Sequence, residues 1–371
     1  MPQKENRQFL QGNVVAAHAA LAAGATHFYG YPITPSSEIL ETWVNLVGDP
    51  AKPNKSPVTK EPLQYLQCED EMTSGFAMIG SCLAGKKAFT TTAGPGNILM
   101  QDAFSAAEAL RIPTVALIMQ RGGLSTSTVI YSQEEVTLTC LGGNGEGFRV
   151  VYSPHNIQEL YDYTIKAFNT AWKYRYPTFV LGDGYQGKMH GEVNLHTMDP
   201  KSYVKPKPIL LSNKGKNKKS VNLRNCYDQE EEIYEIIEKY RKDFARDSKK
   251  IAESESLFLD DAESVIISHG IVSTAAKEAV GRLRKHGQKI GFWRPITLRP
   301  IDLPGLLKAV KGKKEIIYIE SALGQLSRLI NDELMSSNDN RVRNVRIKTM
   351  FKPALGISPR DITDFISKNV S

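Results

Sequence analysis

The chain has 371 residues, a formal net charge of +7 and 41% hydrophobic residues. This length favours two domains, and the apolar fraction is large enough for a core in each. No apolar run approaches the roughly 20 residues of a membrane-spanning helix, and residues 1–7 contain no apolar signal segment. The sequence therefore predicts a cytoplasmic protein with no membrane interaction.

The first 200 residues alternate between short apolar runs and amphipathic segments. Predicted strands cover residues 27–31, 88–92, 114–119, 148–152 and 178–181. Predicted helices cover residues 13–23, 71–84, 97–110 and 156–173, and a further helix ends near residue 46. Because near-continuous apolar strands are typical of a sheet buried on both sides, we predict an α/β fold with a parallel sheet and helices on both faces.

Residues 201–262 interrupt this pattern. Their first part is rich in proline and lysine, and their second part is a charged helix with one apolar stripe. The stripe consists of Ile233, Ile236, Ile237, Tyr240 and Phe244. We expect a basic linker and a connecting helix between a first domain of residues 1–200 and a second, smaller α/β domain of residues 263–371.

The basic linker carries much of the positive charge of the chain. Its lysines include Lys214, Lys216, Lys218 and Lys219. A basic run can bind nucleic acid, but no aromatic residues stand between these lysines and no recognisable binding motif is present. We therefore interpret the segment as a solvated linker and predict no nucleic-acid binding.

The cysteines are too far apart in sequence for a metal site. Cys68, Cys82, Cys140 and Cys226 form no C-x-x-C pair. Because structural zinc and iron–sulfur clusters need closely spaced thiolates, we predict no metal site within this chain. The cysteines are expected to be reduced and packed.

Residues 31–38, with the sequence YPITPSSE, join a predicted strand to a predicted helix. Pro35 suits the first turn of a helix, which places Thr34 at the N-cap. Thr34 could be only a cap. Alternatively, because free N–H groups at a helix N-terminus attract anions, a substrate carboxylate could bind there.

Two further motifs carry charged side chains. Glu69-Asp70-Glu71 places carboxylates at the start of an apolar helix, where the helix dipole alone can explain them. Arg121 follows a buried strand and precedes two glycines. It could present its planar guanidinium to a carboxylate, or it could be a surface arginine in a loop.

Taken together, these motifs resemble the alpha subunits of 2-oxoacid:ferredoxin oxidoreductases over nearly the whole chain. The matching segments of the first domain are Gly12-Asn13, residues 31–38, Glu69-Asp70-Glu71, Ala93-Gly94-Pro95-Gly96 and Arg121-Gly122-Gly123. Those of the second domain are residues 291–298, Glu320 and Gly324-Gln325. The chain looks most similar to the branched-chain (2-oxoisovalerate) type, then to the 2-oxoglutarate type, and then to enzymes of pyruvate or an aromatic 2-oxoacid.

This resemblance implies a fold, a cofactor and partners. The first domain would have the thiamine diphosphate-binding fold, and the second would be of the transketolase C-terminal type. In the family, the alpha subunit holds the aminopyrimidine of thiamine diphosphate, and a beta subunit holds the diphosphate, its Mg²⁺ and a 4Fe-4S cluster. Gamma and ferredoxin-like delta subunits are possible further partners, coenzyme A is the co-substrate, and ferredoxin accepts the electrons.

The resemblance also implies roles for individual residues. Glu71 matches the glutamate that hydrogen-bonds the pyrimidine ring nitrogen, and burial should raise its pKa; Glu69 is the alternative. Arg121 matches the arginine that binds the substrate carboxylate, and Thr34 matches the threonine that contacts substrate and cofactor. The remaining residues assigned to the cofactor are Pro32, Ile33 and Gly94.

The chain departs from the family in the loop after Arg121. Many relatives continue Arg-Gly-Gly with Pro-Ser-Thr-Gly, whereas this chain has Leu124-Ser125-Thr126-Ser127, so the usual specificity rules do not transfer. Elsewhere, Gly182-Asp183-Gly184 begins like the magnesium motif of thiamine diphosphate enzymes. The rest of that motif is missing, since Asn213 stands alone in the linker, and we interpret Asp183 as a strand-end turn residue.

The predicted function is the oxidative decarboxylation of a 2-oxoacid with coenzyme A, yielding an acyl-CoA, CO₂ and reduced ferredoxin. Two alternatives stay open. One is a non-catalytic homologue that only binds a partner, which rests on the altered Leu124 loop alone. The other is a thiamine-dependent decarboxylase or transferase without electron transfer.

Overall fold

The computed structural model describes residues 6–199, 201–210, 221–337 and 345–369. The strands of the first unit are β1 (Arg7–Gln11), β2 (His27–Gly30), β3 (Gln64–Gln67), β4 (Ala88–Thr92), β5 (Val115–Gln120), β6 (Val150–Tyr152), β7 (Thr178–Asp183) and β8 (His190–Asn194). Its helices are α1 (Gly12–Ala22), α2 (Ser37–Val47), α3 (Glu71–Leu83), α4 (Pro95–Leu99), α5 (Gln101–Ala109), α6 (Val136–Leu141), α7 (Ile157–Tyr174) and α8 (Gly184–Lys188). The predicted strands and helices are present, except that the helix predicted at 97–110 is split into α4 and α5.

A long connecting helix, α9 (Glu230–Ile251), leads to the second unit. The remaining strands are β9 (Ser254–Leu257), β10 (Ser264–Ile267), β11 (Ile290–Pro295), β12 (Thr297–Arg299), β13 (Glu315–Glu320) and β14 (Arg346–Phe351). The remaining helices are α10 (Gly270–Lys285), α11 (Leu303–Val310), α12 (Gln325–Ser336) and α13 (Pro359–Asn369).

The larger sheet has the strand order β12-β6-β7-β5-β4-β2-β3. Its neighbouring strands run parallel, except that β12 is antiparallel to β6. Every residue of β4, β5, β6 and β7 is buried, which is typical of a parallel sheet covered on both faces. The predicted α/β fold is therefore confirmed. The antiparallel edge strand was not predicted, because three residues of the second unit are too short a segment to show a strand pattern.

The smaller sheet has the order β14-β13-β10-β11-β9 and is parallel except for β9. Its core includes the fully buried side chains of Ile266, Phe292 and Ile317. Strand β9 directly follows the connecting helix and pairs with β11 in the smaller sheet, whereas β12 follows β11 in the chain and pairs with β6 in the larger sheet. The two units therefore contribute strands to each other's sheets at their boundary.

The connecting helix α9 packs on the first unit through its predicted apolar stripe. The Phe244 ring lies edge-on to the Tyr176 ring, with centroids 5.3 Å apart, and the Tyr240 hydroxyl donates to the Ala109 carbonyl at 3.2 Å. The stripe prediction is therefore confirmed. The linker residues Lys214, Lys216, Lys218, Lys219 and Asn213 lie outside the described residues.

The predicted N-cap at Thr34 is wrong. Helix α2 begins at Ser37, and its N-cap is Ser36. The backbone N–H and the hydroxyl of Ser36 both donate to the Ile33 carbonyl, at 2.9 and 3.0 Å. These bonds close a turn over residues 33–36 and delay the helix start by two residues, which leaves Thr34 in the loop.

The cysteines are free thiols, as predicted, but one of them is not packed. Cys68, Cys82 and Cys140 are buried, whereas Cys226 is exposed. Burial raises the pKa of Cys82 and of Cys140 to about 12, so neither forms a reactive thiolate at neutral pH. In the described ranges no helix combines the length and apolar character needed to cross a bilayer.

Candidate active site

The predicted site segments meet at one edge of the larger sheet. They are the loops that follow β2, β4 and β5, and they contain residues 31–36, 93–96 and 121–123. Strands β2, β4 and β5 are parallel neighbours, so their carboxyl ends lie together, where open α/β sheets usually bind ligands. Residues separated by up to about ninety positions in sequence therefore form one site.

Arg121 and Thr34 are in direct contact. The Nη1 group of Arg121 donates a hydrogen bond to the Thr34 carbonyl at 2.8 Å. The Arg121 side chain is only 5% exposed, and its Nε atom is buried with no hydrogen-bond partner among the described residues. Thr34 itself is exposed. A buried guanidinium donor without a partner is costly unless a ligand satisfies it.

Two glycines allow the charged side chains to approach the turn after β4. A Cβ atom on Gly94, which has a φ of +51°, would lie 2.6 Å from Arg121 Nε, and one on Gly96 would lie 2.5 Å from Glu71 Oε1. Both distances are too short for a real side chain. The turn therefore needs glycine at both positions, and it brings Glu71 and Arg121 to the same short stretch of backbone.

Glu71 is a buried acid in the first turn of α3. Its side chain is 5% exposed. Burial raises its pKa above the ordinary value, and the nearby Arg121 charge opposes that rise. The expectation of a buried acid with a raised pKa is confirmed at Glu71. Glu69, the alternative, is exposed.

The other carboxylate of this motif, Asp70, is the N-cap of α3. It accepts a hydrogen bond from the Thr73 N–H at 2.6 Å, and this bond lowers its pKa. The helix-terminus interpretation therefore holds for Asp70. Of the two remaining predicted cofactor residues, Pro32 is exposed and Ile33 is half-buried, in the same loop as Thr34.

Sequence reasoning missed Asn13 as the anchor of this loop. The fully buried Asn13 amide donates to the Pro35 carbonyl at 2.7 Å and to Glu38 Oε2 at 2.8 Å. Lys188 forms an ion pair with the same Glu38 side chain. The Gly12-Asn13 motif was visible in the sequence, but nothing local indicates that Asn13 reaches residues more than twenty positions away.

Sequence reasoning also missed Glu135, a buried acid that holds the site backbone. Its carboxylate accepts hydrogen bonds from the Gly94 N–H at 2.8 Å, the Arg121 N–H at 3.0 Å and the Asn97 amide at 2.8 Å. Burial raises its pKa, and these three donors act in the opposite direction. One carboxylate thus fixes two segments of the site relative to each other.

Asp183 lies at the end of β7 and caps a short helix. It is buried, and its Oδ1 accepts from the Gln186 N–H at 3.0 Å as the N-cap of α8. Burial raises its pKa to about 7, so it holds a proton part of the time at neutral pH. The interpretation of Asp183 as a turn residue agrees with this geometry.

A second acidic cluster lies at the boundary between the two units. His155, Glu159 and Glu255 offer ligand atoms close enough for a metal ion. However, the buried Arg294 forms ion pairs with both Glu159 and Glu255. Burial acts to raise the pKa of Glu159, but hydrogen bonds from His155 and Arg294 outweigh burial and lower this pKa to about 2. The protein's own cation already balances these acids.

An apolar surface adjoins Glu71. Its exposed side chains are Met72 and Phe76 on α3 and Ile98 and Leu99 on α4. The two helices are in contact, and these four residues are here called the α3–α4 surface. Exposed apolar patches beside a site are typical of protein–protein interfaces.

Comparison with known proteins identifies the family. Residues 18–256 match the family model described as "Pyruvate flavodoxin/ferredoxin oxidoreductase, thiamine diP-bdg". Residues 262–351 match "Pyruvate:ferredoxin oxidoreductase core domain II". The chain belongs to the 2-oxoacid:ferredoxin oxidoreductase family, as its sequence motifs predict.

Individual relatives support this assignment. The chain is 35% identical to the 2-oxoglutarate synthase subunit KorA of Methanocaldococcus jannaschii, over 86% of this chain and 89% of that one. It is 29% identical to the ketoisovalerate oxidoreductase subunit VorB of Methanothermobacter marburgensis, over 86% and 87% of the two chains. These two relatives are thus named for different 2-oxoacids.

Solved structures agree with the fold. A 2-oxoglutarate:ferredoxin oxidoreductase from Magnetococcus marinus, solved with 2-oxoglutarate, coenzyme A and succinyl-CoA, superimposes with a TM-score of 0.84 at 21% identity. The superposition covers all of this chain and 66% of that one. A split-gene transketolase superimposes with a TM-score of 0.57, which agrees with the predicted thiamine diphosphate-binding fold.

The glycine turn makes a prediction about stability. The substitution Gly96→Ala should destabilise the protein by about 1–3 kcal/mol, because the new methyl group would overlap the Thr92 hydroxyl and the Glu71 side chain. The control is Gly80→Ala on α3, where a Cβ atom meets nothing within 4 Å; this change should stabilise by about 0.5–1 kcal/mol. Urea unfolding of both variants measures the difference. A neutral Gly96→Ala would show that the turn has room for a side chain.

Proposed function

We propose that this chain is the alpha subunit of a 2-oxoacid:ferredoxin oxidoreductase. In this proposal it catalyses, with a beta subunit, the coenzyme A-dependent oxidative decarboxylation of a 2-oxoacid to an acyl-CoA and CO₂, and the electrons pass to ferredoxin. The observation that carries the proposal is the buried Glu71 carboxylate. It lies against Gly96 and close enough to Arg121 to feel its charge. A homologue that only binds a partner has no need of such a buried, solvent-protected acid.

The residues present fit the pyrimidine half of thiamine diphosphate. Glu71 is a buried acid able to hold a proton, Gly94 and Gly96 let the Arg121 and Glu71 side chains lie close to the turn after β4, and Arg121 Nε is buried without a partner among the described residues. When bound, thiamine diphosphate would supply a carbon nucleophile for the 2-oxo carbon of the substrate. Glu71 would hold the proton shared with a ring nitrogen, and Pro32 and Ile33 would line the same pocket.

Arg121 would bind the carboxylate that all 2-oxoacids share. Its Nη1 atom is already used by the Thr34 carbonyl, so the free Nε atom is available to a substrate oxygen. Such a charge-assisted bond in a closed site is stronger than one in water. The exposed Thr34 lies at the entrance and would contact substrate and cofactor there.

A partner would complete the site. Asp183 Oδ1 caps α8, and the sequence lacks the rest of the magnesium motif after Gly182-Asp183-Gly184. We place the Mg²⁺, the diphosphate and the 4Fe-4S cluster on a beta subunit that docks on the α3–α4 surface next to Glu71. The proposal leaves room for gamma and ferredoxin-like delta subunits.

The loop after Arg121 favours 2-oxoisovalerate as the substrate over 2-oxoglutarate. Residues 122–131 contain no lysine or arginine, whereas a second carboxylate on the substrate would need a second cation. The loop instead exposes Leu124, at 93%, together with Val129 and Ile130. An apolar, branched substrate side chain would suit these residues better than a second carboxylate. 2-Oxoglutarate stays the second candidate, because a relative at 35% identity bears that name.

The first kinetic prediction concerns Glu71→Gln in the reconstituted enzyme. This change keeps the shape of the side chain but removes its ability to share a proton, so turnover should fall by about 10² or more, while subunit assembly survives. Glu69→Gln, the matched exposed control, should have normal turnover. Steady-state assays of both variants decide between the two glutamates; a larger loss in Glu69→Gln would contradict the role given to Glu71.

The second kinetic prediction concerns the Arg121→Lys variant. Because lysine cannot reproduce the guanidinium geometry, kcat/KM should fall for every 2-oxoacid by a factor equivalent to roughly 2–4 kcal/mol. Substitution of Leu124 should instead change the ranking of 2-oxoisovalerate, 2-oxoglutarate and pyruvate. Measuring kcat/KM for the three substrates separates the two effects. If Arg121→Lys alters only the ranking, Arg121 does not bind the shared carboxylate.

A third prediction concerns the chain purified without a partner. Since the ligands for a cluster are placed on the partner, the purified chain should be colourless and inactive towards 2-oxoacids. Absorption spectroscopy and iron analysis check this outcome. A stoichiometric brown chromophore, or turnover without a partner, would refute the two-subunit arrangement.

A further inference from the structure

The smaller sheet contains the kind of crevice in which α/β proteins usually bind ligands. Strand β10 leads through α10 to β11 on one side, and β13 leads through α12 to β14 on the other. The strand order therefore reverses between the adjacent strands β10 and β13. At such a switch point the loops after the two strands diverge and leave a crevice at their carboxyl ends.

In this protein a side chain of the first unit occupies that crevice. The fully buried Gln133 donates from Nε2 to the His269 carbonyl at 2.9 Å, and its Oε1 accepts from the Ser321 N–H at 3.0 Å. His269 follows β10 and Ser321 follows β13, so Gln133 spans the switch point. A Cβ atom on Gly270 would lie 3.0 Å from Gln133 Nε2, which shows how closely the crevice fits this amide.

Further hydrogen bonds hold the chain on either side of Gln133. Ser132 and the Gln133 N–H both donate to the Ser321 carbonyl, at 3.1 and 3.0 Å. The Gln325 side chain donates to the Glu134 carbonyl at 2.7 Å and accepts from the Thr137 N–H at 2.9 Å. The second unit thus fixes residues 132–137, here called the bridging segment.

The bridging segment also reaches the candidate active site. Glu135, two residues after Gln133, accepts from the backbone N–H groups of Gly94 and Arg121. No solvent separates these contacts, because Gln133 and Glu135 are both buried. Two sets of hydrogen bonds, joined by the backbone from Gln133 to Glu135, therefore connect the loops after β10 and β13 to the backbone of Gly94 and Arg121.

We propose that the switch-point crevice of the second unit is a dock for the bridging segment, and that Gln133 is a positioning residue for Arg121 and Gly94. The crevice has no space for a small ligand while Gln133 fills it. The second unit therefore contributes to the site in the first unit without touching substrate. The kinetic consequence of this inference rests on the proposed function, whereas its structural consequence does not.

The structural test is hydrogen exchange of the full chain under native conditions. Gln133→Met keeps the length of the side chain but removes both of its hydrogen bonds, so the Gly94 and Arg121 amides should exchange about tenfold faster. The control is Thr274→Val, which removes a different bond between the units, from Thr274 Oγ1 to the His155 carbonyl at 2.7 Å. It should leave both amides unchanged.

A peptide from α7 reports whether exchange changes globally. If Gln133→Met leaves the Gly94 and Arg121 amides as protected as in the unaltered chain, the inference is wrong; it is equally wrong if Thr274→Val has the same effect as Gln133→Met. Should Gln133→Met not fold, Gln325→Met removes two bonds at the rim of the same dock and should accelerate the same amides by a smaller factor.

The kinetic test uses the same variants in the reconstituted enzyme. Loss of Arg121 positioning should raise KM for the 2-oxoacid about fivefold or more with little change in kcat, since the carboxylate grip acts on bound substrate and transition state alike. Thr274→Val should keep both constants. An unaltered enzyme that turns over no 2-oxoacid would refute the proposed function, and the exchange result would still decide the positioning role.

Discussion

The site depends on how Arg121 is held. Its backbone N–H is bound by Glu135, its Nη1 atom by the Thr34 carbonyl, and its Nε atom lies against the space left by Gly94. Each contact comes from a different loop at the carboxyl edge of the larger sheet. The contacts of Arg121 therefore fix the relative positions of three loops, and Glu71 lies beside them.

Burying acids beside this cation has an electrostatic consequence. Glu71 and Glu135 both lie in surroundings that raise their pKa values, while the Arg121 charge opposes the rise for each. Glu135 has three hydrogen-bond donors to stabilise its charge. No comparable set of donors to Glu71 is found among the described residues, and for this reason our proposal assigns the exchangeable proton to Glu71.

The sequence was sufficient for the elements whose signal is local. Strand β5 is buried at every residue and appears in the sequence as a nearly continuous apolar run. The family resemblance then pointed to Glu71, Arg121 and Thr34.

What could not be predicted depends on contacts between distant residues. Asn13, Gln133 and Glu135 act through hydrogen bonds to partners 14 to 188 positions away, and no periodicity marks such a partner. The N-cap was misplaced because the bonds from Ser36 to the Ile33 carbonyl close a turn over residues 33–36 before the helix begins. Strand β12 was missed because it exists only where the second unit meets the first.

The most direct test of the account is a structure of the chain assembled with its partner, thiamine diphosphate and a 2-oxoacid. We predict a pyrimidine nitrogen within hydrogen-bond distance of Glu71 and the substrate carboxylate on Arg121; a cofactor bound elsewhere, with Glu71 and Arg121 touching neither molecule, would contradict it.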